Sequence, residues 1–128
     1  MTNIVLDASA ALRVVLSPGD HEAYLDELES STDIMAPQLF AVETANALWK
    51  YRRTERLDDH AMRRRHNEAL GLVSLWIPDT ALFPEALALA ARHDHPVYDC
   101  LYLVTARRFD ARLLTADQRL DRLFRDIT

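Results

Sequence analysis

Residues 3–12 read NIVLDASAAL. Ile4, Val5 and Leu6 form a continuous apolar run, the pattern of a strand buried on both faces rather than one that alternates. The alanine-rich ASAALRVVL that follows predicts a helix. Asp7 stands at the junction, where a carboxylate is costly to desolvate unless something pairs with it. Two kinds of partner fit that place. One is the backbone N–H groups of the helix beginning at Ala8, which Asp7 would cap; the other is a cation.

The strand-then-helix pattern repeats outward from this point. SPGD (17–20) is a turn signal, and Asp20 is placed to cap a helix over roughly 21–29, with Tyr24, Leu25 and Leu28 on its inner face. DIMAP predicts a second strand, and Pro37 is expected to open a long helix reaching about Arg53. LDDHAMRRRHNEALGL predicts a helix with Asp58 as its cap. VSLWIP is the third strand, stopped by Pro78, and ALFPEALALAARHD is helical, with Pro84 in its first turn or marking its start. Pro96 breaks the chain before the helix VYDCLYLVTARRF. ARLLTAD gives a fourth strand, and DQRLDRLF a last helix. Strands separated by helices imply an α/β fold with a parallel sheet covered on both faces. Ligands of such sheets bind outside the carboxyl ends of the strands. Asp7 and Asp117 lie at two such ends.

The chain of 128 residues suits one domain, 1–128, with a sizeable core. Its apolar fraction of 49% and charged fraction of 27% are those of an ordinary globular protein. No signal-peptide pattern is present at the start, and LGLVSLWI falls far short of the ~20 apolar residues of a membrane span. Cys100 is the single cysteine, which rules out an internal disulfide and finger-type zinc sites, so a cytoplasmic location is expected. A net charge of −5 speaks against a general nucleic-acid binder. Lys50, Arg52, Arg53 and Arg56 nevertheless cluster, as do Arg63, Arg64 and Arg65, and Arg107, Arg108 and Arg112. Such runs are ordinarily solvated helix faces. They gain meaning only beside a site that takes a polyanion.

Of the 20 acidic residues, most sit on polar helix faces or in caps. Glu43 does not: its neighbours one turn away are Leu39, Phe40, Asn46 and Ala47, and a bare carboxylate there needs a cation, a hydrogen bond such as Asn46 could give, or neutralisation. Buried, it could equally bond a backbone group or an arginine. Asp99 opens the apolar helix VYDCLYLV, where an acid can simply favour the helix N-terminus. Asp117 has a bland reading too, as a first-turn acid behind a capping box of Thr115 and Gln118. If Asp7, Glu43, Asp99 and Asp117 converge, they repel one another without a cation. Hard oxygen ligands then point to Mg²⁺ or Mn²⁺. The histidines show no ligand pair on one helix, and His93 and His95, flanking Asp94 in a loop, read as solvated. No phosphate-cradling glycine loop or serine elbow is present.

IVLDASA, PQLFAVETANALWK, HPVYDCLYLVTA and LLTADQRL, in that order over nearly the whole chain, resemble the PIN-domain ribonucleases, and most closely the VapC-type toxins of toxin–antitoxin pairs. The resemblance implies a three-layer α/β/α fold with a central parallel sheet of four to five short strands and an acidic pocket at its carboxyl edge. It assigns metal binding to Asp7 and Asp99, with Glu43 and Asp117 completing the set. Ser9 and Thr115 match polar positions beside the pocket, and Asn46 joins them as a supporting residue. It also implies Mg²⁺- or Mn²⁺-dependent hydrolysis of an RNA phosphodiester, leaving a 5′-phosphate and a free 3′-hydroxyl. The arginine clusters would then track the RNA backbone. The partner it implies is a small antitoxin lying across the pocket, in a homodimer or a hetero-oligomer. Leu12, Val15, Leu16, Leu48 and Trp49 are candidate contacts, though apolar residues at helical spacing are usually core. Two rivals stand beside this reading. One is an aspartate-based phosphotransfer enzyme with Asp7 as nucleophile, although Ser9 stands where a second Asp would be wanted. The other is a non-catalytic domain that binds RNA or protein.

Overall fold

The computed structural model describes residues 2–16, 19 and 21–128. The anticipated SPGD turn and the Asp20 cap fall outside these residues, apart from Gly19 itself. Four strands form one parallel sheet: β1 (Ile4–Leu6), β2 (Ile34–Pro37), β3 (Leu75–Ile77) and β4 (Arg112–Leu114). Their order is β3-β2-β1-β4. The register sets Val5 beside Met35 on one side and beside Leu113 on the other. All three residues of β1 are buried, as the unbroken apolar run requires of a strand with both faces covered.

The described residues form seven helices: α1 (Ala8–Leu16), α2 (His21–Glu29), α3 (Leu39–Arg53), α4 (Asp59–Gly71), α5 (Phe83–His93), α6 (Val97–Arg108) and α7 (Gln118–Ile127). The central one is α6, which packs across β1, β2 and β4 and against α5. Cys100 through Ala106 are all buried, seven consecutive residues without an exposed face. Being apolar nearly all round, this helix belongs in the interior. α1 packs against α2, α3 and α4.

Several local expectations change. Pro37 does not open α3; it is the last residue of β2, and α3 begins two residues later. With no N–H to donate, proline fits the strand end. The first N–H of α3 is capped from elsewhere in the chain, by Asp79 Oδ1 at 3.1 Å from Leu39 N. Asp79 follows β3 in a 3₁₀ turn, Asp79–Ala81. Asp58 caps α4 as anticipated, accepting from Ala61 N at 2.7 Å. Pro84 lies in the first turn of α5. That helix ends at Asp94, whose left-handed backbone (φ 50°) is a conformation Asp tolerates better than most residues. Leu48 and Val15, among the candidate partner contacts, are core residues at 0% and 8% exposure, whereas Trp49 is 47% exposed with the Arg53 guanidinium over its ring. No helix among the described residues is long and apolar enough to cross a membrane.

In this strand order the chain runs from β1 outward to β2 and β3, then returns to place β4 on the free side of β1. The crevice at the carboxyl ends of β1 and β4 is therefore where the winding reverses, the usual position of a ligand site in an open parallel sheet.

Candidate active site: an acidic cleft at the sheet edge

β1 and β4 end side by side, with Asp7 N donating to Leu114 O at 3.2 Å. Asp7 follows the one strand and Thr115 the other. Asp7 is 5% exposed, and both its carboxylate oxygens are occupied. Oδ1 accepts from Ser9 Oγ (2.7 Å) and from Ala10 N (3.0 Å); Oδ2 accepts from Thr115 Oγ1 (2.6 Å). The bond to Ala10 N is that of a helix cap, so the cap reading of Asp7 holds. It does not exhaust the residue, because two hydroxyls converge on the same carboxylate. Ser9 Oγ in turn accepts from Ala116 N (2.9 Å), and Thr115 Oγ1 from Asp117 N (2.9 Å). The ends of β1 and β4 and the starts of α1 and α7 are thus tied through one carboxylate.

The capping box expected of Thr115 and Gln118 is not formed. Asp117 is itself the cap of α7, with Oδ1 accepting from Arg119 N (2.9 Å) and Leu120 N (3.2 Å), while the Thr115 hydroxyl serves Asp7. A carboxylate is the stronger acceptor for the helix N-terminus, which leaves the hydroxyl to donate elsewhere.

Glu43 is half-buried on α3 and takes the Tyr102 hydroxyl at 2.6 Å. Neither a backbone group, an arginine nor Asn46 fills that place; Asn46 is exposed and lines the cleft. Tyr102 is 1% exposed, with its ring in the core and its hydroxyl at the site, the two-ended use of a buried tyrosine. Asp99, three residues earlier on α6, does not cap its helix. Its Oδ2 accepts from His95 Nε2 at 2.8 Å. A carboxylate only accepts, so His95 carries its proton on Nε2 in this bond. His95 is 7% exposed, which overturns its reading as a solvated loop residue; His93 is exposed, as anticipated. The expected acidic set can be found from its strand-end and helix-start positions. Tyr102, His95 and Asp79 could not, although the four-residue spacing of His95 and Asp99 is a signal in hindsight.

Asp7, Glu43, Asp99 and Asp117 line one cleft of ≈ 320 Å³, together with Ser9, Leu12, Asn46, Lys50 and Tyr102. Burial pushes the Asp7 carboxyl above the usual aspartate range, and the charge of Asp117 adds to that, against the opposing donors Thr115, Ala10 and Ser9. Glu43 is also raised, first by burial and then by the charges of Asp99, Asp7 and Asp79, with the Tyr102 hydroxyl opposing. Burial likewise raises Tyr102, and the neighbouring Glu43 reinforces it, so the phenol stays a donor. The hydrogen bonds fix the carboxylates without cancelling their charge. The donors are all hard oxygens, the set that suits Mg²⁺ or Mn²⁺, and the buried Cys100 is not among the lining residues. Among the described residues, no three Asp, Glu, His or Cys side chains stand close enough to enclose an ion as they are. Each carboxylate is drawn instead to its own protein donor. That spacing is compatible with Mg²⁺, which is usually bound through one or two carboxylates and keeps several waters.

The comparisons with known proteins agree with this architecture. The family model described as PIN domain matches residues 4–125. Ribonuclease VapC3 of Pyrobaculum aerophilum is 30% identical over 130 residues, covering 94% of each chain. The crystal structure of PAE2754, also from Pyrobaculum aerophilum, superposes with a TM-score of 0.73 at 26% identity, over 93% of this chain and 77% of that one. The fold is also that of VapBC2 from Rickettsia felis, solved bound to a DNA fragment from its promoter, with a TM-score of 0.62 at 14% identity over 94% and 92% of the two chains. With the four-stranded parallel sheet, the acidic crevice at its winding reversal and a family match over nearly its full length, the chain belongs to the PIN domain family.

Proposed function

We propose that the protein is a divalent-metal-dependent endoribonuclease of the VapC type, hydrolysing RNA phosphodiester bonds and held in check by a cognate antitoxin. The observation that carries this reading is the gathering of Asp7, Glu43, Asp99 and Asp117 on one cleft at the carboxyl edge of the sheet. The name ribonuclease borne by the relative from Pyrobaculum aerophilum supports it.

In this reading Asp7 and Asp99 hold the cation. A divalent ion bound there supplies Lewis acidity towards a phosphate oxygen and a nucleophile at neutral pH. Ser9, Ala10 N and Thr115 fix Asp7, and His95 fixes Asp99, so both present a defined oxygen to the cleft. Burial raises the Glu43 carboxyl above the usual glutamate range, so its ionised form is a stronger base than a free glutamate. It is suited to accept a proton from the attacking water while Tyr102 holds one of its oxygens. Asp117 stands at the rim, capping α7, and orients water there. Attack in line with the leaving 3′-oxygen gives a 5′-phosphate and a free 3′-hydroxyl.

The test is incubation of the purified, partner-free protein with structured RNAs and Mg²⁺ or Mn²⁺, alongside calorimetric titration of the ion. Cleavage that requires the ion and disappears in Asp7→Asn and Asp99→Asn is the expected result. Variants that cleave as fast as the wild type would show that the site is wrongly assigned. Absence of ion binding would favour a non-catalytic domain.

A further inference from the structure

The acidic cleft continues on α3 into a second, smaller groove. Lys50 stands two turns after Glu43 on the same face of the helix, about 10 Å further along its axis. It lines the acidic cleft and also a hollow of ≈ 240 Å³ formed with Tyr51, Thr54 and Arg56. The chain turns sharply there. Glu55 takes a left-handed conformation (φ 62°), and Arg56 N returns to Tyr51 O at 2.9 Å. That turn lays the Arg56 guanidinium over the Tyr51 ring, 5.5 Å from its centroid. A guanidinium stacked on a ring keeps its other face for a second flat partner.

The charges of this groove are unmatched. Several arginines elsewhere are paired: Arg52 with Asp59, Arg65 with Glu68, Arg107 and Arg108 with Glu85, and Arg112 with Glu27. Others among the described residues, such as Arg92 and Arg122, are not, and none of these others lines the acidic cleft. Among the described residues Lys50 and Arg56 have no carboxylate partner. Two unpaired cations flanking a stacked aromatic, next to a cleft built for one phosphodiester, form the recognition chemistry of an unpaired nucleotide. A duplex would hold its bases in the stack, out of reach of the Arg56–Tyr51 pair.

We propose that Lys50, Tyr51, Thr54 and Arg56 form the subsite for single-stranded RNA beside the scissile bond, with phosphates on Lys50 and Arg56 and a base stacked on the Arg56–Tyr51 pair. The proposal rests on the ribonuclease reading above and adds which residues beyond the acidic set hold the strand. The competing role for these cations is local: a positive charge near a helix C-terminus stabilises the helix without any ligand.

The experiment measures binding of a labelled, unstructured 2′-O-methyl oligoribonucleotide, which resists cleavage, and of its duplex with the complement, over a range of salt concentrations. RNA cleavage by the wild type is followed in parallel. The subsite predicts tighter binding of the single strand than of the duplex. Lys50→Ala and Arg56→Ala should each reduce the slope of log affinity against log salt by about 0.7. Tyr51→Leu should weaken single-strand binding about tenfold, with thermal melts confirming that each variant folds. Unchanged salt slopes in both charge variants, or equal binding of the duplex, overturn the subsite even where the wild type cleaves RNA, and leave the nuclease reading standing. Weakened binding in the variants without any wild-type cleavage upholds the subsite and overturns the nuclease.

Discussion

Acids occupy two settings in this molecule. On the outer surface Glu85 takes Arg108 at 2.8 Å, Glu27 takes Arg112 at 2.8 Å and Glu68 takes Arg65 at 3.2 Å, each a carboxylate matched by a cation of the same chain. In the cleft the partners are hydroxyls, a phenol, an imidazole and backbone N–H groups, and the lining offers a single lysine. The first arrangement neutralises charge and leaves geometry loose, since both side chains are long and solvated. The second fixes geometry and leaves the charge in place. A group held still but not neutralised is prepared for something that arrives from outside.

The contrast can be broken most sharply at Asp99. Asp99→Asn keeps the shape and removes the charge, and should lower the rate of RNA cleavage about 10²- to 10³-fold, the scale of losing one preorganised electrostatic group. A loss under tenfold in single-turnover assays would place Asp99 with the surface acids. His95 comes next. His95→Ala frees Asp99 to rotate and should weaken Mn²⁺ binding about 10- to 100-fold, the usual effect of removing a ligand's supporting bond. His95→Gln, which retains an N–H donor, should recover most of that affinity in the same titration.

A smaller effect, of opposite sign, separates holding from neutralising. Folding raises the Asp7 carboxyl above its ordinary value of 3.8, so the folded state keeps this proton to higher pH than the unfolded state. In that window the unfolded chain binds fewer protons, and stability falls as pH rises from the ordinary value through the raised one. Asp7→Asn removes the term. Its amide can still accept from Ser9 and Ala10 and donate to Thr115, whose hydroxyl can turn to Ser9, 3.2 Å away. The metal-free variant should therefore be more stable than the wild type at neutral pH by on the order of 1 kcal/mol in urea melts. A less stable variant would mean that the three donors outweigh burial. The smallest effect belongs to the outer surface. Glu85→Gln should change stability by no more than about 0.5 kcal/mol and leave cleavage and ion binding as they were.

The sequence reveals the acids of the cleft because each stands where a regular element begins, ends or turns an apolar face. Asp7 and Asp117 follow strands, Asp99 lies in the first turn of a helix, and Glu43 is the one charge in the first eleven residues of α3. Such positions are set by local pattern, which periodicity reads well. Their partners were hidden for a different reason. Tyr102 reads as one more apolar residue of α6, and only the approach of α3 makes its hydroxyl a partner of Glu43, 59 positions away. His95 reads as loop because the helix begins two residues later, yet its ring is buried against the first turn. Asp79 caps a helix 40 positions earlier in the chain. Pro37 misled by chemistry: proline suits a helix start and a strand end alike, and the pairing with β3 decided between them.

The bond between Thr115 and Asp7 joins residues 108 positions apart. During synthesis Asp7 leaves the ribosome 108 residues ahead of the hydroxyl it will bond, because chains emerge from the N-terminus onward. Ser9 and Ala10 are within Asp7's own local reach, but the crevice exists only once β4 pairs with β1. A partly made chain therefore carries the acid without the site, and the capacity for chemistry arrives with the closing of the sheet rather than growing with length.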